Sequence, residues 1–239
     1  MKKQGRTARR IKKILWRFGM PDFSDNYGVM LPVKHALISK GIAKQIYFEE
    51  YESKEIDIIS KRLDKNDRVM EVGAGIGFLS AFCAKQIGSE NVFAYEANPE
   101  LIDVIKMTHK KNYVSPQIYN IFLADADGEC EFYLNDDFWA SSSVVNTVST
   151  RKVMIRKVSL NDEIRRIAPT FLIVDIEGGE KDFFALVDLS GVKKICIETH
   201  PGILTDKDIS EIFNGLMNKG FWLDFSIIRK NVFYFYRDC

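Results

Sequence analysis

Acidic side chains recur where apolar runs of this 239-residue sequence end, and at the first of these ends glycines stand beside them. The stretch "VMEVGAGIGFLS", 69–80, sets Glu71 ahead of Gly73, Gly75 and Gly77, with strand-forming residues before and helix-forming residues after. Glycines at alternate positions let a strand-to-helix turn bring its backbone against a ligand. The position that would complete the GxGxxG of dinucleotide binders is Phe78, so the spacing favours S-adenosylmethionine over NAD. On this reading a Cβ at the glycines would strike the methionine and ribose portions, Ala74 shares the turn, and the Glu71 carboxylate suits an ammonium group. Glu96, followed by Asn98 in "FAYEANP", stands where a carboxylate accepts both ribose hydroxyls. Asp125 and Ala126 of "LADADG" adjoin the expected adenine position.

A second acidic group lies further along. In "FLIVDIEGGEKDFF", Asp175 and Glu177 close an apolar run, Gly178 and Gly179 permit a sharp turn, and Glu180 opens a helix; "CIETHP" then brings Glu198 and His200 to a similar end. Carboxylates are costly to crowd unless something positive or proton-donating is close. With S-adenosylmethionine as donor the chemistry would be in-line displacement at its activated methyl carbon, in which the enzyme aligns an acceptor group and removes its proton. Asp175, then His200, then Glu198 are the candidate bases, and Asp175, Glu177 and Glu198 are the alternative ligands of a Mg²⁺ ion. Glu180 has a bland reading as well, since a carboxylate in a first helical turn is favoured by the macrodipole. The stretch "YLNDDFWASSS", with Trp139 and Ser142, reads either as a sugar-binding cleft or as packing aromatics. His109 reads as a helix C-terminal residue favoured by the dipole, and His35 as part of an N-terminal lid.

Short runs rich in β-branched and aromatic residues must place these groups: 68–72, 91–96, 117–124, 171–176 and 194–199. They are too apolar to keep a wet face, which marks buried parallel strands. Helix-like stretches follow the first, second, fourth and fifth, and repeated βα units imply an α/β doubly wound sheet. The runs "FWLDFSII" and "NVFYFYRD" predict a closing antiparallel hairpin, and 125–160 predicts an inserted β excursion. In such sheets ligands bind at the carboxyl ends of the strands, where the acids lie.

Nearly half of the residues (46%) are hydrophobic, enough for one substantial core, read here as a domain over 46–239 with a basic arm and lid over 1–45. Four scattered cysteines without zinc-like spacing, and no long apolar segment, predict a cytoplasmic protein without a structural metal. The net charge of +1 hides an asymmetry: residues 1–20 hold eight Lys or Arg and no acid, leaving the rest net acidic. Within that arm Ile11, Ile14, Leu15 and Phe18 form a short helical stripe. A basic amphipathic helix of this kind lies on an anionic membrane or a polyanion, or docks its stripe on its own domain.

The succession "EVGAGIG…YEANPE…LADADGECEFYL…SSS…VSLNDEI…FLIVDIEGGEKDFF…CIETHP" resembles the FkbM-type S-adenosylmethionine-dependent methyltransferases over roughly residues 50–200. The resemblance implies a Rossmann-like class I methyltransferase with a mostly parallel seven-stranded sheet, and O-methylation of a sugar, glycan or related natural product. It adds Tyr51 and Glu52 to the cofactor residues, and marks Asp175, Glu177 and Glu180 as the acidic motif. One departure is Ile173, where that family usually carries a lysine. The alternatives are a nucleic-acid methyltransferase using the basic arm, and a non-catalytic module that binds S-adenosylmethionine. A nicotinamide oxidoreductase would need a pyrophosphate turn that the glycine spacing does not provide.

Overall fold

A computed structural model of the chain describes residues 12–16, 18–135 and 150–238. Residues 12–16 are helical and lead to a hairpin of β1 (Phe23–Asn26) and β2 (Val29–Pro32), then to α1 (Lys40–Tyr47) and α2 (Ser53–Arg62). Five parallel strands follow among helices: β3 (Val69–Val72), β4 (Val92–Tyr95), β5 (Gln117–Tyr119), β9 (Phe171–Val174) and β10 (Lys194–Glu198). The closing β11 (Trp222–Leu223) and β12 (Val232–Tyr236) pair antiparallel, and β12 also pairs antiparallel with β10. The sheet order is β11-β12-β10-β9-β3-β4-β5, the seven-stranded class I methyltransferase arrangement that the sequence predicts. Strand order reverses between β3 and β9, which fixes where a ligand crevice opens.

Alternation along the strands divides the core. Val69, Val92, Phe171, Ile173 and Cys196 face one layer with α3 (Phe78–Ile87), while Met70, Val72, Phe93, Tyr95, Leu172, Val174, Ile195 and Ile197 face the other. Successive side chains point to opposite faces, so strands covered on both sides must be apolar at every position. Val29, Leu31, Ile42 and Ile46 join the first layer, so residues before position 46 share the main core.

Three local expectations are corrected. The run 117–124 is two strands: after β5 the Asn120 side chain donates to the Glu96 and Ala97 carbonyls at 2.8 and 3.1 Å, and β6 (Phe122–Ala124) leaves for a second sheet. There β6, β8 (Thr150–Ser159) and β7 (Gly128–Asn135) pair in that order, which is the β excursion expected over 125–160. The run "FWLDFSII" keeps only two strand residues, because Asp224 accepts from the Ser226 backbone and hydroxyl at 2.9 and 2.6 Å and turns the chain. The N-terminal stripe does not dock: Ile14, Leu15 and Phe18 are 55%, 52% and 86% exposed, and Ile11 lies outside the described residues. The opposite face docks instead, with Trp16 packed 5.1 Å from the Tyr47 ring and Lys12 bonded to the Tyr47 carbonyl and to Glu49. Trp16 packs its ring against both Tyr47 and Phe48, and the Lys12 ammonium lies 5.6 Å from the centre of the Tyr47 ring.

Candidate active site at the sheet switch point

A cavity of about 630 Å³ opens at the carboxyl ends of β3, β4 and β9, within the range of small-molecule sites. One wall comes from the glycine turn and from Tyr51 and Glu52 ahead of α2; another comes from Ile121 to Asp125 with Phe132; a third comes from Asp175, Ile176 and Glu177 with α4 (Glu180–Leu186). Among the described lining residues six are Asp or Glu and none is Lys or Arg. That balance repels phosphates and attracts a cation, as expected for a sulfonium and ammonium donor and not for a dinucleotide.

The three glycines do different work, and the expectation that each spares the cofactor is corrected. A Cβ on Gly73 would stand 1.7 Å from the Asp175 carbonyl oxygen, so this glycine lets β3 and β9 approach each other. A Cβ on Gly77 would meet Ile105 at 2.9 Å and His109 at 3.1 Å, a matter of helix packing. Gly73 and Gly75 both take left-handed backbone, at φ 88° and 54°, and both line the cavity, but only at Gly75 would a Cβ meet no neighbouring backbone, with Tyr51 Oη 3.4 Å from its virtual Cβ. Ala74 donates its N–H to the Tyr95 carbonyl at 3.0 Å and does not line the cavity.

Glu96 is buried at the end of β4 and gripped by backbone, with Oε2 accepting from Gly75 N at 2.9 Å and Oε1 from Asn98 N at 2.7 Å. Burial raises its pKa to about 7 although those N–H groups oppose the shift. Each oxygen keeps a further lone pair, so the carboxylate can still accept a diol. Asn98 turns its side chain to cap Glu100 N at 2.9 Å, and its part is to hold Glu96. Glu71 sits behind the turn, outside the lining, with Oε2 lacking a hydrogen-bond partner; burial lifts it to about 8 against bonds from Ser80. Glu52, at φ 44°, caps no backbone N–H and lines the cavity with Tyr51. Asp125 lines the outer wall near Lys157, whereas Ala126 is exposed outside it. Trp139 and Ser142 lie outside the described residues.

The rim beside β9 gathers the second acidic group. His200 Nδ1 bonds to Glu180 Oε1, and its Nε2 lies 3.3 Å from both Asp175 Oδ1 and Glu177 Oε2. Burial disfavours the charged ring, but Glu180, Asp175 and Glu177 outweigh it and lift His200 to about 9. The ring is therefore placed as a cation among carboxylates and not as a base with a free lone pair. Burial and Glu198 raise Asp175 well above the ordinary range, with His200 opposing. Glu198 Oε1 accepts from Asn231 at 2.7 Å and Lys54 at 3.3 Å, which turns it toward α2. The macrodipole reading of Glu180 is incomplete, since its side chain is fully buried against His200.

Sequence reading missed several residues. Gly179, Asp182, Phe183 and Leu186 line the cavity at i, i+3, i+4 and i+7, a helical spacing visible in "GEKDFFAL". Lys54 and Asn231 left no local signal, because their partner Glu198 is distant in sequence. His109 is corrected: it is buried under the glycine turn, 3.0 Å from Ser80 Oγ, and burial lowers it to about 4, so it carries no charge for the dipole to favour. His35 accepts from Leu37 N at 3.2 Å in the N-terminal segment.

A family model described as the TRM5/TYW2 methyltransferase domain matches residues 39–162. That match overturns the resemblance to FkbM-type enzymes and the sugar O-methylation it implied. The segment that carried the resemblance most strongly, 175–180, lies beyond the matched residues, and here its acids serve the His200 cluster. No curated protein matches the chain. Among solved structures, a ribosomal protein L11 methylase from Lactobacillus delbrueckii subsp. bulgaricus is similar at TM-score 0.48 and 11% identity, covering 80% of each chain. TYW2 from M. jannaschii in complex with AdoMet is similar at TM-score 0.42 and 14% identity, over 90% of this chain and 86% of that one. Both are too distant to bear on chemistry. Among the described residues no helix is long and apolar enough to cross a membrane.

Proposed function

The chain belongs to the TRM5/TYW2 methyltransferase domain family and is an S-adenosylmethionine-dependent methyltransferase, and from that membership we propose that its acceptor is a nucleic acid, in the first instance tRNA. The match over 39–162 carries the proposal. It is supported by the arm at residues 1–20, whose eight cations and absence of acids suit a polyanion.

The residues at the switch point fit the cofactor: Glu96 lines the cavity with lone pairs to spare, Gly75 leaves the turn open, and the lining carries six acids. Glu96 would hold the ribose hydroxyls, Gly75, Tyr51 and Glu52 the amino-acid end, and Asp125 with Ile121 and Leu123 the adenine side. When bound, S-adenosylmethionine supplies a methyl group on a sulfonium that is already activated for displacement. The protein's own work is to align the acceptor atom and take its proton. Asp175, at the rim and raised by burial and by Glu198, is the group proposed to accept that proton, because a carboxylate of raised pKa is the stronger base. His200, tied to buried Glu180, keeps Asp175 and Glu177 oriented.

Incubation with methyl-tritiated S-adenosylmethionine and total tRNA tests the proposal. The expected result is nuclease-sensitive label in RNA, lost in Asp175→Asn. Label absent from RNA, while the cofactor still binds, would overturn it.

A further inference from the structure

Four carboxylates converge on the rim, and the protein supplies two cations to meet them. Asp175, Glu177 and Glu180 face the His200 ring, and Glu198 is paired with Lys54. One donor atom from each of Asp175, Glu198 and His200 lies within 4.8 Å of the other two. Two features point beyond a plain charge cluster. Glu180 is fully buried; one oxygen holds His200 Nδ1 and the other has no hydrogen-bond partner. That is the outer carboxylate that fixes the ring of a metal-bound histidine and turns its second nitrogen to the ion. Asp175 Oδ1, buried as an atom and without a hydrogen bond, faces that second nitrogen.

We infer that Asp175, Glu198 and His200 form a divalent-cation site, with Glu180 as the outer partner of His200 and Glu177 beside the open side. Carboxylates with one imidazole suit Mn²⁺ or Zn²⁺ better than Mg²⁺, which favours an all-oxygen shell. The ion answers two difficulties together. In taking the place of the His200 Nε2 proton it brings a divalent charge to the carboxylates around the ring, and it gives an anionic acceptor something to meet at an otherwise repulsive rim. The second point rests on the proposed nucleic-acid acceptor; the site itself does not.

Binding of Mn²⁺ alone, followed by electron paramagnetic resonance and calorimetry on the full chain without acceptor, separates the two readings. The site predicts one ion per chain with a dissociation constant below about 1 mM. Asp175→Asn and His200→Gln each weaken it at least tenfold, Glu180→Gln weakens it about 10- to 100-fold without removing a ligand, and Glu131→Gln on the exposed second sheet leaves it unchanged. Retained S-adenosylmethionine binding shows that each variant is folded. No saturable Mn²⁺ or Zn²⁺ binding overturns the inference, as does wild-type binding by the folded Asp175, His200 or Glu180 variants. Loss of RNA methylation with ion binding intact would count against the acceptor alone.

Discussion

Gly73 and Asp175 meet backbone to backbone at the point where the strand order reverses, so closely that no side chain fits between them. The Asp175 N–H also donates to the Val72 carbonyl at 2.9 Å, so the glycine turn and the acidic strand end are one structure. Gly73→Ala therefore forces β3 and β9 apart and is expected to cost about 3 kcal/mol or more. Gly75→Ala meets only the Tyr51 hydroxyl at 3.4 Å and is expected to cost about 1–2 kcal/mol, mostly backbone strain, while reducing cofactor affinity. Denaturant unfolding of the two variants checks this; a Gly73 variant as stable as the Gly75 variant contradicts it.

Burial holds Glu71 at about 8, above its ordinary 4.5, so the folded state favours its protonated form. The stability this gives is complete below the unfolded value and is lost as pH rises through 8. Glu71→Gln, which cannot ionise, is expected to gain on the wild type by roughly 5 °C in Tm between pH 6 and pH 9. A difference that stays flat over that window would show that the carboxylate is not strained by burial.

The Asn112 amide ties the N-terminal hairpin to the helix that precedes that residue, beside the bond from Asn26 Nδ2 to the Tyr51 carbonyl at 3.1 Å. Asn112 Oδ1 accepts from Met30 N, and its Nδ2 donates to the Met30 and Thr108 carbonyls, all at 2.8 Å, with the residue 6% exposed. Asn112→Ala leaves buried backbone groups unpaired and is expected to cost about 2–3 kcal/mol, with faster amide exchange in β1 and β2. Unchanged exchange at Met30 argues against this tie.

Deleting residues 1–20 removes eight cations. RNA affinity at about 0.1 M salt is expected to fall at least tenfold, with a flatter dependence of log K on log salt, because fewer counterions are released. An unchanged salt slope in filter binding would place the RNA contacts elsewhere.

The frame of the site was legible because it rests on local patterns. The strands around Met70, Phe93, Leu172 and Ile195 are apolar on both faces through their middles apart from the buried Glu71, and the acids Glu96, Asp175 and Glu198 lie at or just after their ends. What the pattern did not show was which atoms meet. Whether a glycine spares a ligand or a neighbouring strand depends on the approach of β9 to β3, a contact between residues about a hundred positions apart. The charge on His109 and His200 depends on what surrounds each ring: Ser80 and apolar packing for one, three carboxylates for the other. The FkbM resemblance rested on glycines and acids at strand ends, and its most specific stretch, 175–180, lies beyond the residues 39–162 that the family model matches.

Calorimetric titration with S-adenosylmethionine tests most directly that the acid-lined cavity is the methyl-donor site. The account predicts saturable one-to-one binding to the wild type, no heat with NAD, and at least tenfold weaker binding by Glu96→Gln, whose carboxylate stands over the turn at Gly75. Equal affinity in the variant, or binding of NAD in place of S-adenosylmethionine, would contradict it.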